Sequence, residues 1–216
     1  MTYLNPNRLC RADDCRQTAT RMSRFCGRHL KLFTAHGHEQ GRAIRAHELR
    51  PYRALAAHLL KTYRDRKDTS AALQWLQKML NASPEDAAGV ELARLKAAGV
   101  TPDEVFCAAL SIYAFHRDRP RSLPDDARLT FALGRAIVRL RKRRRVFART
   151  SLRQQSFYVS PKAFRYIGLR IREALPVLFT RLLDMHEREK QEESDLRWLM
   201  THGDEMVAKV ERRSPT

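Results

Sequence analysis

Long apolar runs and most strand signals are missing from this sequence of 216 residues. No stretch approaches the ~18 consecutive apolar residues that a membrane-spanning helix requires. The first residues lack a basic segment followed by an apolar one, so we expect no signal peptide. These absences predict a cytoplasmic protein, in a compartment where cysteines remain reduced and free to bind a metal.

Motifs for catalysis are also scarce. The chain has only three asparagines, Asn5, Asn7 and Asn81, so a His-Asn-His nuclease arrangement cannot be assembled. It contains no phosphate-binding Gly-rich loop, no Gly-x-Ser-x-Gly and no His-Glu-x-x-His. We therefore expect a binding protein rather than an enzyme, with a nuclease as the alternative.

Three of the four cysteines lie within the first thirty residues, together with a histidine. Four residues lie between Cys10 and Cys15, and ten lie between Cys15 and Cys26. His29 is three positions after Cys26. Zinc prefers four thiolate or imidazole ligands in tetrahedral geometry, and a site with no open position is structural. We predict one structural Zn²⁺ held by Cys10, Cys15, Cys26 and His29.

The segment around these residues is too polar to fold by burial alone. Its large apolar side chains are few: Leu4, Leu9, Met22, Phe25 and Leu30. So small a core cannot offset the entropy of ordering this segment, whereas structural zinc supplies about 10 kcal/mol of binding free energy. His36 and His38 are close enough in sequence to replace His29, and disulfide pairing is the alternative to a metal.

Carboxylates are absent from one long stretch of this basic protein, whose net charge is +18. No Asp or Glu lies between Ala127 and Arg172, although the stretch holds twelve arginines and two lysines. Like charges at this density repel one another unless a polyanion balances them. We predict that nucleic acid, double-stranded DNA before RNA, contacts the following residues: Arg135, Arg139, Arg141, Lys142, Arg143, Arg144, Arg145, Arg149, Arg153, Lys162 and Arg165.

Three other kinds of partner stay open at this point. Aromatic residues such as Phe157 and Tyr158 lie among the arginines, which also allows binding of RNA or single strands by base stacking. A protein-interaction adaptor or inhibitor that grips an acidic partner is a further alternative. The heptad-like spacing of Leu175, Leu178 and Leu182 allows a homodimer. A membrane surface is disfavoured because no lipidation motif is visible.

Apolar residues recur every three to four positions over most of the chain, which predicts helices. We expect an all-α protein, in which a multi-helix domain follows a small zinc-stabilised module. The predicted parts are a zinc-binding module over 1–41, a helical core over 42–126, and a basic helical region with long C-terminal helices over 127–216, packed with the core as one unit. The most apolar helix, from Val105 to His116, should be central in the core.

The segment from Cys10 to Ile44 resembles small treble-clef-like zinc fingers of phage- and mobile-element-encoded bacterial proteins. The matching pattern is Cys-x4-Cys, a spacer, Cys-x2-His, a helix and a His-Gly-His turn at 36–38, and it covers 35 of the 216 residues. The resemblance implies a bacterial or phage origin, and with the basic stretch it predicts a nucleoid-associated regulator of transcription. The finger helix is only weakly basic, which favours docking on the helical domain.

Overall fold

Helices account for most of this computed structural model, which describes residues 8–20, 23–39, 41, 44–141 and 159–211, with side chains through Arg197. These ranges contain no β-strand and only one isolated bridge, between Leu9 and Thr18. The predicted all-α fold with a small N-terminal module is confirmed. The helices are α1 Gly27–His36, α2 Ala46–Tyr63, α3 Lys67–Leu80, α4 Ala87–Ala97, α5 Pro102–Asp118, a 3-10 helix Pro120–Ser122, α6 Asp126–Val138, α7 Pro161–Ala174 and α8 Pro176–Glu211.

The chain divides into two compact units, Met1–Pro176 and Val177–Thr216. The predicted boundaries after residues 41 and 126 both fall inside the first unit, which holds α1 to α7. The second unit consists of α8, where Arg197 lies 2.6 Å from Glu193 one turn earlier. Neither α8 nor any other helix of the described ranges is apolar enough to cross a membrane.

Helix α5 is the centre of the first unit, as its apolar sequence predicted. It packs against α2, α3 and α6, and it buries eight of its residues, among them Phe106, Leu110 and Phe115. Its start is defined by a capping box, in which Thr101 Oγ1 accepts the Glu104 backbone N–H at 3.3 Å. The returning bond from the Thr101 N–H to the Glu104 carboxylate measures 2.9 Å. Together they satisfy two amide groups that a helix end leaves unpaired.

Two glycines bring α6 and α7 into close contact. Gly134 of α6 lies against the backbone of Phe164, and Gly168 of α7 lies against the backbone of Thr130. A Cβ at either glycine would come under 3.0 Å from these backbone atoms, so a larger residue does not fit. The paired numbers run in opposite directions, which makes the helices antiparallel. The C-terminal end of α6 and the N-terminal end of α7 therefore lie at the same end of the pair.

Two prolines affect the helices around them in different ways. Helix α2 continues through Pro51, because its later turns bury Leu59 and Leu60, and this burial offsets the hydrogen bond that proline cannot donate. Helix α7 ends before Leu175, whose ψ is −1°, and Pro176 begins a new helix at a position where proline is tolerated. The sequence also allows a short strand over 156–159, and this segment lies almost wholly outside the described residues.

Candidate metal centre

The side chains of Cys10, Cys15, Cys26 and His29 converge in the N-terminal module. Their four ligand atoms all lie within 4.8 Å of one another. The Sγ atoms of Cys10 and Cys26 are each 3.4 Å from His29 Nδ1, and Cys15 Sγ lies 4.0 Å from Cys26 Sγ. Tetrahedral Zn–S and Zn–N bonds imply ligand separations of about 3.5–3.8 Å. The four residues could therefore bind one metal ion, as the sequence predicted.

The first two ligands are placed by a turn between short paired segments. Leu9 pairs with Thr18, and the Cys10 N–H donates to the Gln17 carbonyl at 2.8 Å. Within the turn, Asp14 adopts a positive φ of 60°, a conformation that aspartate tolerates better than most residues. This local geometry returns the chain so that the two thiols lie close together.

The other two ligands are placed by the beginning of α1. Cys26 is the N-cap residue, and the Leu30 N–H donates to its carbonyl at 2.8 Å, so His29 lies within the first turn. The Cys26 N–H donates to Cys10 Sγ at 3.2 Å and joins the helix to the preceding turn. Phe25 is buried beneath the ligands and forms, with the cysteines, a small separate core.

The electrostatics of the three thiols favour a bound cation. The His29 backbone N–H holds the pKa of the Cys26 thiol below its ordinary value. Burial opposes the Cys10 thiolate, yet its pKa is also lowered, because Cys10 accepts the Cys26 N–H. The Gln17 N–H lowers the pKa of Cys15, but desolvation and the two neighbouring thiols outweigh it, so that this pKa is raised. Three thiolates at this spacing repel one another unless a metal balances their charge.

The alternatives to His29 as the fourth ligand are engaged elsewhere. His36 Nδ1 lies 2.7 Å from the Arg135 guanidinium, and His38 Nδ1 lies 2.7 Å from that of Arg128. All four cysteines are free, so disulfide pairing is not present in the described residues. Cys107 lies outside the cluster, half-buried on α5, and burial raises the pKa of its thiol to about 11. The ligand set is therefore the one that the Cys-x2-His spacing predicted.

The N-terminal module docks on α6, as its weakly basic helix predicted. The Arg135 guanidinium donates to the Ala35 carbonyl and to His36 at the end of α1. Gly37 follows with φ of 76°, and a Cβ there would lie 2.6 Å from the Phe131 ring. Only glycine combines this backbone conformation with so close an approach. The end of α1 is thus held against α6 by a half-buried arginine and a glycine contact.

The residues predicted to contact nucleic acid fall into three groups. Arg139, Lys162 and Arg165 are exposed on α6 and α7. Arg135 is half-buried against α1, and Arg141 is buried beside Glu91, whose Oε2 lies 3.0 Å from its guanidinium. Both arginines donate to groups inside the protein, Arg135 to the end of α1 and Arg141 to Glu91, and neither is exposed. The others lie outside the described residues: Lys142, Arg143, Arg144, Arg145, Arg149 and Arg153.

Sequence reasoning missed a cluster of cations and aromatic rings where the module meets α7. The Arg165 guanidinium lies 5.2 Å from the centre of the Phe33 ring, and that of Arg24 lies 5.6 Å from the same ring. Lys162 Nζ lies 5.5 Å from the Tyr166 ring. Phe33 and Arg165 are 132 positions apart, so no spacing rule could have joined them. We call these five residues the Phe33 surface.

Comparisons of this chain with models of protein families, with curated proteins and with solved structures found no match. The resemblance to treble-clef-like zinc fingers therefore stays a prediction. Any function must be argued from the metal cluster, the Phe33 surface and the charges themselves.

Proposed function

We propose that this protein binds double-stranded DNA through the Phe33 surface. The observation that carries the proposal is the gathering of exposed cations from two distant parts of the chain around one ring. No carboxylate among the described residues pairs with Arg24, Lys162 or Arg165. Cations without a carboxylate partner on one surface are suited to phosphates, and arginine adds a planar fork that matches their oxygens.

The beginning of α7 adds a second element that favours an anion. Ser160 caps the helix by accepting the Ala163 N–H at 3.2 Å, Pro161 follows, and the first turn has no acidic residue. The remaining free N–H groups and the helix dipole attract negative charge at this end. Residues 142–158 join the chain between the C-terminal end of α6 and the N-terminal end of α7.

We propose that the bound metal is Zn²⁺ and that its role is structural. Three thiolates and one imidazole form a soft donor set that leaves no ligand position for a substrate. The ion would fix the turn and α1, and with them Arg24 and Phe33. The function of the metal is then to build one half of the DNA-binding surface.

Metal content tests this role directly. Elemental analysis of protein purified without chelators should find about one zinc per chain. Cys26→Ser should lose the zinc and weaken DNA binding, whereas Cys107→Ser, a thiol outside the cluster, should retain both. Properly folded, reduced protein that contains no metal would refute the assignment.

The DNA-binding surface is tested by a charge-matched pair of triple variants. In the first, Arg24, Lys162 and Arg165 are replaced by Gln; in the second, the exposed Arg50, Lys61 and Lys78 are replaced by Gln. Fluorescence anisotropy with a labelled duplex measures affinity over a series of KCl concentrations. Each lost phosphate contact should reduce the slope of log affinity against log salt by about 0.9, so three should reduce it by roughly 2.7.

The two triple variants lose the same net charge. A difference between them therefore reports binding at one surface, not general attraction of DNA by the positive charge of the protein. The control variant should keep the wild-type salt slope. The proposal is contradicted if both variants lose the same amount of salt slope, or if the first variant keeps the wild-type slope.

Competition with RNA and single-stranded DNA decides the class of nucleic acid. If the protein prefers either of them to the duplex, that nucleic acid is the ligand instead of double-stranded DNA. A second protein that stays bound to this one after nuclease treatment would favour an acidic protein partner instead. Regulation of transcription stays a prediction.

A further inference from the structure

A cavity of about 810 Å³ opens in the first unit, and no metal ligand and no residue of the Phe33 surface lines it. Its walls come from the start of α2, the middle of α5, the 3-10 helix and one face of α6. The volume falls within the range of about 300–1,000 Å³ that is typical of small-molecule sites.

The floor of the cavity is apolar. Leu49, Ile112 and Phe131 contribute large side chains from three different helices, and each of them is buried. Ala108 and Ala132 line the space between them, where short side chains leave room. A ligand with an apolar body would contact these side chains and take its own apolar surface out of water, which is the main favourable term for binding in such a pocket.

Charge at the cavity is strongly one-sided. Arg128 and Arg135 line it from one face of α6, and Arg139, the C-cap residue of that helix, follows one turn later. Two further arginines, from α2 and the 3-10 helix, also contribute, and Glu104 is the one carboxylate among the described lining residues. Basic side chains therefore outnumber acidic ones around the apolar floor.

The arginines of α6 keep donors that the protein does not use. Arg135 donates to the Ala35 carbonyl and to His36, neither of which is a carboxylate, and burial lowers its pKa to about 10. The Arg139 side chain has no hydrogen-bond or ion-pair partner among the described residues. Arg128 Nε is buried without a hydrogen-bond acceptor, although Asp125 lies 3.3 Å away. Arg135 is half-buried and has no carboxylate partner among the described residues, so a bound anion would offset part of the free energy that its desolvation costs.

We infer that this cavity binds a small organic anion with an apolar body and a carboxylate head. The carboxylate would lie against Arg135 and Arg139, whose planar guanidinium groups match its two oxygens. The apolar body would lie over Phe131, Ile112 and Leu49. This site does not depend on DNA binding, since it shares no residue with the Phe33 surface.

Isothermal titration calorimetry of the full-length, metal-loaded protein tests this inference, with octanoate and 1-octanol as the probes. Octanoate should bind saturably at one site per chain. The alcohol has the same chain but no charge, and it should bind at least about tenfold more weakly because charge-assisted hydrogen bonds to arginine are lost. Equal affinities for the two probes, or no saturable binding of octanoate, would overturn the proposal.

Variants locate the site within the molecule. Arg139→Gln should weaken octanoate about tenfold and leave 1-octanol unchanged, because only the charged contact is removed. Arg50→Gln, an exposed position that does not line the cavity, serves as the control and should change neither affinity. Ala132→Phe should fill the cavity and abolish binding of both probes, with thermal unfolding as the check on folding. Unchanged octanoate binding in either cavity variant would also overturn the inference.

Discussion

Replacing Glu91 by Gln should destabilise the first unit, because Glu91 is the buried partner of Arg141. Both side chains are only 5% exposed, and Glu91 Oε2 lies 3.0 Å from the Arg141 guanidinium. The other carboxylate oxygen of Glu91 pairs with Arg94, which is half exposed. Removing the carboxylate therefore leaves a buried guanidinium without its nearest counter-charge.

The expected magnitude follows from this burial. Removing one partner of a buried ion pair costs about 3–5 kcal/mol. The Gln amide oxygen can still accept one hydrogen bond from Arg141, so we expect the lower end, about 3 kcal/mol. In a protein of this size, 1 kcal/mol moves the midpoint of thermal unfolding by about 2–4 °C, so the midpoint should fall by roughly 6–12 °C.

Thermal unfolding followed by circular dichroism measures this change, and a double variant tests its cause. Glu91→Leu combined with Arg141→Met removes both charges and should recover stability to within about 1 kcal/mol of the wild type. Glu85→Gln is the matched control, because Glu85 is exposed. The reasoning about the buried charge is wrong if Glu91→Gln has the same midpoint of thermal unfolding as the Glu85→Gln control. It is also wrong if the double variant is no more stable than Glu91→Gln alone.

Three further substitutions test the packing of the first unit, each by its midpoint of thermal unfolding. Gly134→Ala should cost about 1–3 kcal/mol by forcing α6 from the Phe164 backbone, whereas Gly27→Ala, with nothing within 4 Å of its Cβ, should cost far less. Gly37→Ala should cost about 1–3 kcal/mol through its positive φ, and the metal content should stay unchanged. Thr101→Ala should cost about 1 kcal/mol by removing the cap of α5. Losses below about 0.5 kcal/mol in any of the three destabilising variants would contradict these contacts.

The metal ligands were predictable because each pair is local in sequence. Cys10 and Cys15 are joined by one turn, and Cys26 and His29 lie within the first turn of α1. The choice among the histidines was not local. His36 and His38 turn away because they contact arginines about a hundred positions later in the chain, on α6. Spacing alone favoured His29 but could not show that His36 and His38 contact arginines of α6.

The partners of the basic residues, in contrast, could not be predicted from the sequence. Counting charges predicts an excess of cations near Arg141, but the count cannot reveal that Glu91, fifty positions earlier, lies beside this arginine. The same limit applies to the Phe33 surface, where Arg165 and Arg24 meet one ring only after the module has docked. Contacts of this kind depend on how helices pack, and helix packing is not encoded in any short window of sequence.

By itself, the sequence determined the helices and the residues that cap them. It also determined the four candidate ligands and the excess of positive charge. These properties follow from periodicity, short spacings and composition, which act over a few residues. The tertiary structure decided which arginines are buried, which are exposed, where the N-terminal module and α7 form a surface, and where α2, α5 and α6 enclose a cavity. Burial and pairing depend on contacts between residues far apart in the chain, so they exist only once those helices have packed.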